Sequence, residues 1–432
     1  MMSKKNASKS VAFVGMAHVG LVSCIAWASL GNSSLGLDTD EKLISGLGSG
    51  KLPIYEPGLD ELFEQNKSRV SFSNDFSKLA NFDVIFTTHD TELTGNNRLG
   101  KLNTLIDRLI PNISNNTTLV LVSQVPVGFC RELYQKIEVA RPGVKFNLVH
   151  MIDTFIMTRA IECFTNPSRI VLGFEKSPYK VPANFQKVLD SFECPKLLIS
   201  WESAEVTKAS TNVYLATSVT FANTISDICE VSGANMSEVI PALRLDKRIG
   251  QFAYLRPSTG IAGGHIERDL QMFTKLSKQK NARVDLIKLI TKLNKNRYKW
   301  VLKKLQELSL KSGSNITIWG LAYKKDSEST MNAPSVKIIK ELQKKYKINV
   351  YDPKAKLPKN LSATQFSDKY QALKNADCLI ILTEWDEFSN PNLKKVAAQV
   401  SKKNIIDSVG ILQNNKSSLQ AFNYLGMGQG EN

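Results

Sequence analysis

One set of residues in this sequence has types and spacing suited to chemistry. It lies in Val11–Leu21, VAFVGMAHVGL, where an apolar run passes through a glycine-marked turn into a helical pattern. In a G-x-G-x-x-G turn the first glycine makes the tight exit from a strand. The second lets the backbone approach a pyrophosphate, and the third lets the helix pack closely on the sheet. Gly15 and Gly20 hold the first and third places, and Ala17 holds the second. The helix start at His18 and Val19 offers N–H groups and a positive dipole end to phosphates. Asp38 follows Gly20 by 18 residues, at the end of a second β-rich run. A carboxylate there accepts hydrogen bonds from ribose hydroxyls and repels a 2′-phosphate, which favours NAD over NADP. The competing reading is an α/β turn that has lost its ligand, and Ala17 lends that reading weight.

These groups need a frame. Strands are expected at Val11–Met16, Ser34–Asp38, Asp83–Thr88, Thr118–Ser123, Lys145–His150 and Arg169–Gly173, with a helix at His18–Leu30. Strands separated by helical stretches imply a parallel sheet with crossover helices. Ser203–Val231 has apolar residues at helical spacing without proline or glycine, and predicts one long helix. More helix is expected through Asp285–Leu308, and Lys311–Ser314 reads as a linker. A second α/β pattern follows, with strands at Asn315–Gly320, Ile348–Tyr351, Cys378–Leu382 and Asn404–Asp407 and a helix at Ser335–Tyr346. The fold class expected is α/β: two Rossmann-like, doubly wound parallel-sheet domains joined by a central helical dimerisation domain. The boundaries expected are 1–200, 201–310 and 311–432.

Composition sets the outer limits. Of 432 residues, 42% are hydrophobic and 22% charged, ordinary values for a chain with sizeable cores. Lys plus Arg exceed Asp plus Glu by 56 to 40. The lysines are scattered and form no long basic block, which argues against a nucleic-acid partner. Six cysteines sit mostly in apolar stretches without a C-x-x-C pair, as buried thiols in a reducing compartment do. Four scattered histidines suggest no metal cluster. Neither a signal peptide nor a membrane span is evident, and a cytoplasmic location is expected.

Further segments then occur in series: LPIYEPGLDELF, SAEVTKASTNVYLATSVTFANTI, DKRIGQF, GLAYKKD and ILTEWDEF. In this order they resemble the UDP-glucose/GDP-mannose dehydrogenase family, the nucleotide-sugar 6-dehydrogenases, from Val11 to about Leu412. The resemblance implies an N-terminal NAD-binding domain, a central helical dimerisation domain and a C-terminal nucleotide-sugar domain. It also implies oxidation of a sugar C6 alcohol, with two NAD, to a carboxylate. In the family a cysteine thiolate traps the aldehyde and carries the second oxidation through a thioester. The matching positions make Lys208 and Asn212, four residues apart and so on one helix face, the groups that stabilise the oxyanion, where outside this motif they would read as a solvated lysine and a polar partner; Asp269 becomes the group that assists the water step. Arg248 and Lys324 match substrate contacts, and Gly260 and Gly263 belong to the nucleophile segment. Gln124 stands in the turn before a V-P-x-G segment on the cofactor side. Glu56 and Pro57 read as mainly architectural, and Trp385 as core. A UDP-sugar is the implied substrate, and a homodimer the implied assembly.

The departures cluster. The nucleophile segment reads GIAGGH, so His265 stands at the cysteine position, and no cysteine lies within thirty residues of it. An imidazole cannot form the thioester. His265 is read either as a general base, its ordinary pKa being near neutral, or as a neutral replacement in a disused pocket. MIDTFIMT replaces a glutamate-bearing segment and leaves Asp153, while Ser123-Gln124, Met331 and Val409 replace further contact residues. These losses leave three readings: a divergent oxidoreductase that stops at the aldehyde or its hydrate, a non-catalytic relative that pairs with an active paralogue, and a full four-electron dehydrogenase, which needs a replacement nucleophile that the sequence does not show.

Overall fold

A computed structural model describes residues 10–89, 98–413 and 416–430. The chain divides into two compact units, with the boundary between Ser210 and Thr211.

The first unit is built on eight strands: β1 (Ser10–Val14), β2 (Ser33–Leu37), β3 (Val70–Ser73), β4 (Val84–Thr87), β5 (Thr118–Leu121), β6 (Asn147–Met151), β7 (Ile170–Phe174) and β8 (Lys196–Ser200). Their order in the sheet is β3-β2-β1-β4-β5-β6-β7-β8. The strand order reverses at β1, between its neighbours β2 and β4, and at such a switch point the carboxyl ends of the strands open a ligand crevice. The pairs are parallel except β6 with β7, where His150 faces Gly173 and Met151 faces Leu172 in antiparallel register. The strands expected from sequence form. β3 and β8 were not expected, and both are partly exposed edge strands without a clean apolar alternation.

The first helix, His18–Ser29, is buried from Val19 to Ala28. It is apolar all round because it is covered on more than one side. Leu21, Ile25 and Trp27 lie in one of the unit's two main cores, each contributing about 1.5–3 kcal/mol by burial. The long helix spans Trp201–Ser232 and starts directly from β8. Trp201 is buried and donates from Nε1 to the Leu148 carbonyl. A Cβ on Gly173 would lie 2.8 Å from that of Ala204, so the bare glycine lets the helix sit on β7.

In the second unit the remainder of the long helix packs Ala216 with Ile261, Leu270, Ile287 and Ile290 in a small core. The helix His265–Lys280 was not expected from sequence, and the helical stretch after Asp285 is two helices, Asp285–Arg297 and Lys299–Glu307. The second sheet has six parallel strands: β9 (Asn315–Trp319), β10 (Lys347–Tyr351), β11 (Thr364–Phe366), β12 (Cys378–Ile381), β13 (Asn404–Asp407) and β14 (Asn423–Gly426). Their order is β11-β10-β9-β12-β13-β14, the pattern of the first six strands of the first sheet. Among the described residues no helix is long and apolar enough to cross a membrane.

Candidate active site

The turn after β1 is built around Gly15. Its φ of 98° is in the left-handed region, its N–H reaches the Leu37 carbonyl, and a Cβ would lie 2.8 Å from that of His89. Gly20 is tighter still, since a Cβ there would lie 1.8 Å from the Gly15 carbonyl oxygen. These two glycines let the helix begin at His18, with Ala17 as an extended N-cap and no side chain capping the end. The helix N-terminus at His18, Val19 and Gly20 is therefore left for an anion. Asp38 closes the turn from β2, accepting from Met16 N at 2.9 Å and Asp40 N at 3.1 Å. Lys101 Nζ lies 3.6 Å from the same carboxylate.

Two buried polar atoms stand at the neighbouring strand ends, His89 Nδ1 after β4 and Ser123 Oγ after β5. Neither has a partner among the described residues. Unmet polar groups at the switch point, beside an uncapped helix start and a carboxylate, fit a dinucleotide. Gln124 follows Ser123, half-buried, in the same turn. Burial, followed by Lys101, pushes the His89 imidazole down to about 4, so the ring is neutral near neutral pH. His89 was not singled out from sequence. Its place directly after β4, the switch-point strand, was the available signal.

His18 Nε2 lies 2.9 Å from Glu56 Oε2. The buried Glu56 also accepts from Thr158 N and Ala160 N, at 3.0 and 2.8 Å. The YEPGL segment is architectural, as read, but its carboxylate is the working part. Gly58 forms the left-handed N-cap of the helix that follows it.

Lys208 projects from the long helix to the segment after β6, where Nζ reaches the Asp153 carbonyl and, at 3.3 Å, the Asp153 carboxylate. Asp153, the residue left at the replaced glutamate position, is thus held against this lysine. Nearby, Cys130 Sγ lies 3.4 Å from His150 Nδ1, and Glu205 accepts from Gly128 N at 2.6 Å and Cys130 N at 2.8 Å. The three side chains bring possible metal-ligand atoms together, which the scattered sequence positions did not suggest. Both Glu205 oxygens, however, cap the helix Phe129–Ala140, and burial pushes the thiol well up from its ordinary value. The arrangement is that of a hydrogen-bonded helix cap, and a thiolate ligand is disfavoured there.

In the second unit the nucleophile segment is shaped by its glycines. Gly260 (φ 131°) leaves Ile261 N to donate to Asn294 Oδ1 at 2.6 Å. Gly263 (φ 90°) lies under the Tyr323 ring, where a Cβ would come within 2.9 Å. Its N–H reaches the Met331 carbonyl, and Asn332 Nδ2 donates to Glu267 at 2.9 Å. The GLAYKK loop and the nucleophile segment are therefore in contact, with Lys324 Nζ 5.9 Å from the Tyr323 ring. His265 is the first residue of its helix and is exposed, so it is not packed in a closed pocket. One turn on, buried Asp269 accepts from Asn212 Nδ2 at 2.6 Å. The structure thus brings Asn212 to Asp269, one turn from His265, and sets Gly263 under Tyr323, the neighbour of Lys324, while Gly260 lies against Asn294. Arg248 is held apart: it is 88% exposed and bound to Asp246 two residues earlier, at 2.6 Å. Sequence reasoning missed Arg268, whose buried guanidinium lies 3.3 Å from His265 Nδ1 and 3.8 Å from Asp269.

Three family models match the chain. Residues 9–192 match the NAD binding domain of the UDP-glucose/GDP-mannose dehydrogenase family, residues 202–296 its central domain and residues 317–414 its UDP binding domain. The UDP-glucose 6-dehydrogenase TuaD of Bacillus subtilis is 30% identical, over 96% of this chain and 92% of its own. A UDP-glucose 6-dehydrogenase of Rhizobium meliloti is 28% identical, over 97% and 99%. Among solved structures, a UDP-glucose dehydrogenase from Pyrobaculum islandicum superposes with TM-score 0.87 at 24% identity, covering 99% of both chains.

Proposed function

Because this chain belongs to the UDP-glucose/GDP-mannose dehydrogenase family, we propose that it oxidises the C6 alcohol of a UDP-sugar, of the UDP-glucose type, and stops at the aldehyde. The observation that carries this reading is the pairing of a retained Asn212–Asp269 contact with His265 at the cysteine position. NAD bound at the Gly15–Gly20 turn supplies the hydride acceptor. Lys208 and Asn212 stabilise the negative charge that grows on the C6 oxygen. Asp269 orients a water that takes the hydroxyl proton. Lys324 offsets diphosphate charge. Without a thiolate there is no thioester, so the covalent route to the carboxylate is closed. The functional segments we assign are 1–200 for NAD, 201–310 for dimerisation and 311–432 for the nucleotide-sugar.

A homodimer is supported by the long helix. Tyr214, Phe221 and Ile228 recur every seven residues and are 66%, 46% and 52% exposed, and Val231 beside them is 86% exposed. Such a stripe fits a second copy of the same helix, and light scattering that returned a monomer would remove this assignment.

The decisive experiment is anaerobic incubation with NAD and a panel of nucleotide-sugars, following NADH and weighing the product. One NADH per sugar with an aldehyde is expected. A carboxylate would overturn the two-electron reading. Binding of NAD and sugar without NADH would favour the non-catalytic relative, a reading that the replacement of family arginines by Met331 and Val409 supports.

A further inference from the structure

A bare carboxylate at the end of β2 selects NAD, because it repels a phosphate on the ribose 2′ oxygen. Asp38 is not bare. Its side chain is wholly buried, and Lys101 Nζ stands 3.6 Å from Oδ1. The two oxygens also accept from Met16 N and Asp40 N. The Lys101 side chain is 37% exposed, so the charge that faces solvent at this carboxylate is an ammonium. Lys101 is the second residue of the helix Gly100–Leu109, whose start has no side-chain cap. The positive end of that helix dipole therefore lies beside the same ammonium. The other charges nearby do not restore a negative field. Asp40 spends its carboxylate on Lys42 N and Leu43 N, as the cap of the helix Glu41–Gly48. Glu41 and Lys42, both exposed, offset each other. His89 is pushed down to about 4 by burial and then by Lys101, and adds no charge near neutral pH. Thr39, half-buried, adds a hydroxyl at the strand end.

We propose that Lys101 is a specificity-determining residue that cancels the charge of Asp38 and lets the first unit take a 2′-phosphorylated dinucleotide, NADP, as well as NAD. The ammonium pairs with the 2′-phosphate of NADP as a charge-assisted hydrogen-bond donor. With NAD the half-exposed lysine arm gives way to the ribose hydroxyls at the same carboxylate. The phosphate lies at the adenosine end of the cofactor, so the hydride chemistry is the same for both. Lys101 can act in this way only if the Gly15–Gly20 turn holds the dinucleotide, as read above.

The test is calorimetric titration of the full-length protein with NAD and with NADP, in wild type, Lys101→Met and Lys101→Arg. In wild type NADP should bind within about tenfold of NAD, and added salt should weaken NADP more steeply than NAD. In Lys101→Met the NADP affinity should fall at least about tenfold further while NAD stays within about threefold. Lys101→Arg keeps the cation and should keep NADP binding, which guards against a general loss of the helix start. A wild-type preference for NAD beyond about 100-fold would overturn the proposal. So would equal losses of NAD and NADP in Lys101→Met, which would mark the lysine as a support of the fold alone. NAD binding without NADP binding would sink this specificity and leave the turn as the cofactor site, whereas binding of neither would sink both.

Discussion

The two sheets repeat one turn and put it to different uses. In each, a left-handed glycine follows the central strand and donates to the end of the neighbouring strand: Gly15 N to Leu37 O, and Gly320 N to Tyr351 O. In each, a threonine beyond the switch-point strand braces the turn, Thr88 Oγ1 on the Gly15 carbonyl and Thr383 Oγ1 on the Ala322 carbonyl. In each, an aspartate ends the neighbouring strand. Asp38 takes two backbone N–H groups, from Met16 and Asp40. Asp352 takes five donors: Leu321 N, Ala322 N and Trp385 Nε1 on one oxygen, Lys354 N and Ala355 N on the other. A carboxylate accepts about four hydrogen bonds, so Asp38 has capacity left for a ribose and Asp352 has none. The helix after the first turn starts at His18, whereas after the second it waits until Pro334. Only the first turn therefore aims a helix N-terminus at its own glycine loop. The same local chemistry makes a cofactor cradle where it is left unsatisfied and a structural joint where it is filled.

The comparison can be broken most severely at Gly20. Gly20→Val places side-chain atoms against the Gly15 carbonyl and should weaken NAD binding by a factor of about 1,000, roughly 4 kcal/mol. Calorimetric titration showing unchanged NAD affinity would mean that the turn is not the cradle.

The two aspartates should respond in opposite ways. Asp352→Ala strands several buried N–H groups and should cost about 3 kcal/mol of stability with NAD affinity unchanged. Asp38→Ala should instead weaken NAD about tenfold, near 1.4 kcal/mol. Thermal melts and NAD titrations of both variants separate the roles, and matching effects would erase the distinction.

Acid should also divide the sheets. His89 and His150 in the first unit are each pushed down to about 4, chiefly by burial. Between there and the ordinary value of about 6.5 the unfolded chain binds more protons, so stability falls as pH is lowered through that window. The slope approaches about 1.4 kcal/mol per pH unit for fully buried His150 and is smaller for His89. The second sheet's segment, 311–432, has no histidine, and burial raises the Asp407 carboxyl there, so acid adds stability at that site. Amide exchange at pH 7 and pH 5 should show protection lost in β5 and β6 and kept in β12 and β13. Uniform loss would contradict these environments.

The smallest effect is expected at Ala17. Ala17→Gly restores the bare middle position and should tighten NAD no more than about threefold, because Ala17 already has an ordinary φ of −74°. A larger gain would show that the Ala17 methyl obstructs the pyrophosphate.

By itself the sequence determined what local pattern and chain order can encode. The β1 turn, Asp38 and the long helix were legible because glycine spacing, a strand-end acid and helical periodicity are properties of neighbours in the chain. The family motifs marked Asn212, His265 and Asp269 by their order. Tertiary structure decided what depends on partners far apart in sequence. It saturated Asp352 from Leu321 to Trp385, set Glu56 under His18, and brought His150 to Cys130. It also placed Asp269 against Asn212 across 57 residues of chain, and it alone showed that Arg268 faces His265 Nδ1. The physical reason is that hydrogen-bond saturation and burial fix the charge of a side chain, and both are set by which distant segments pack around it.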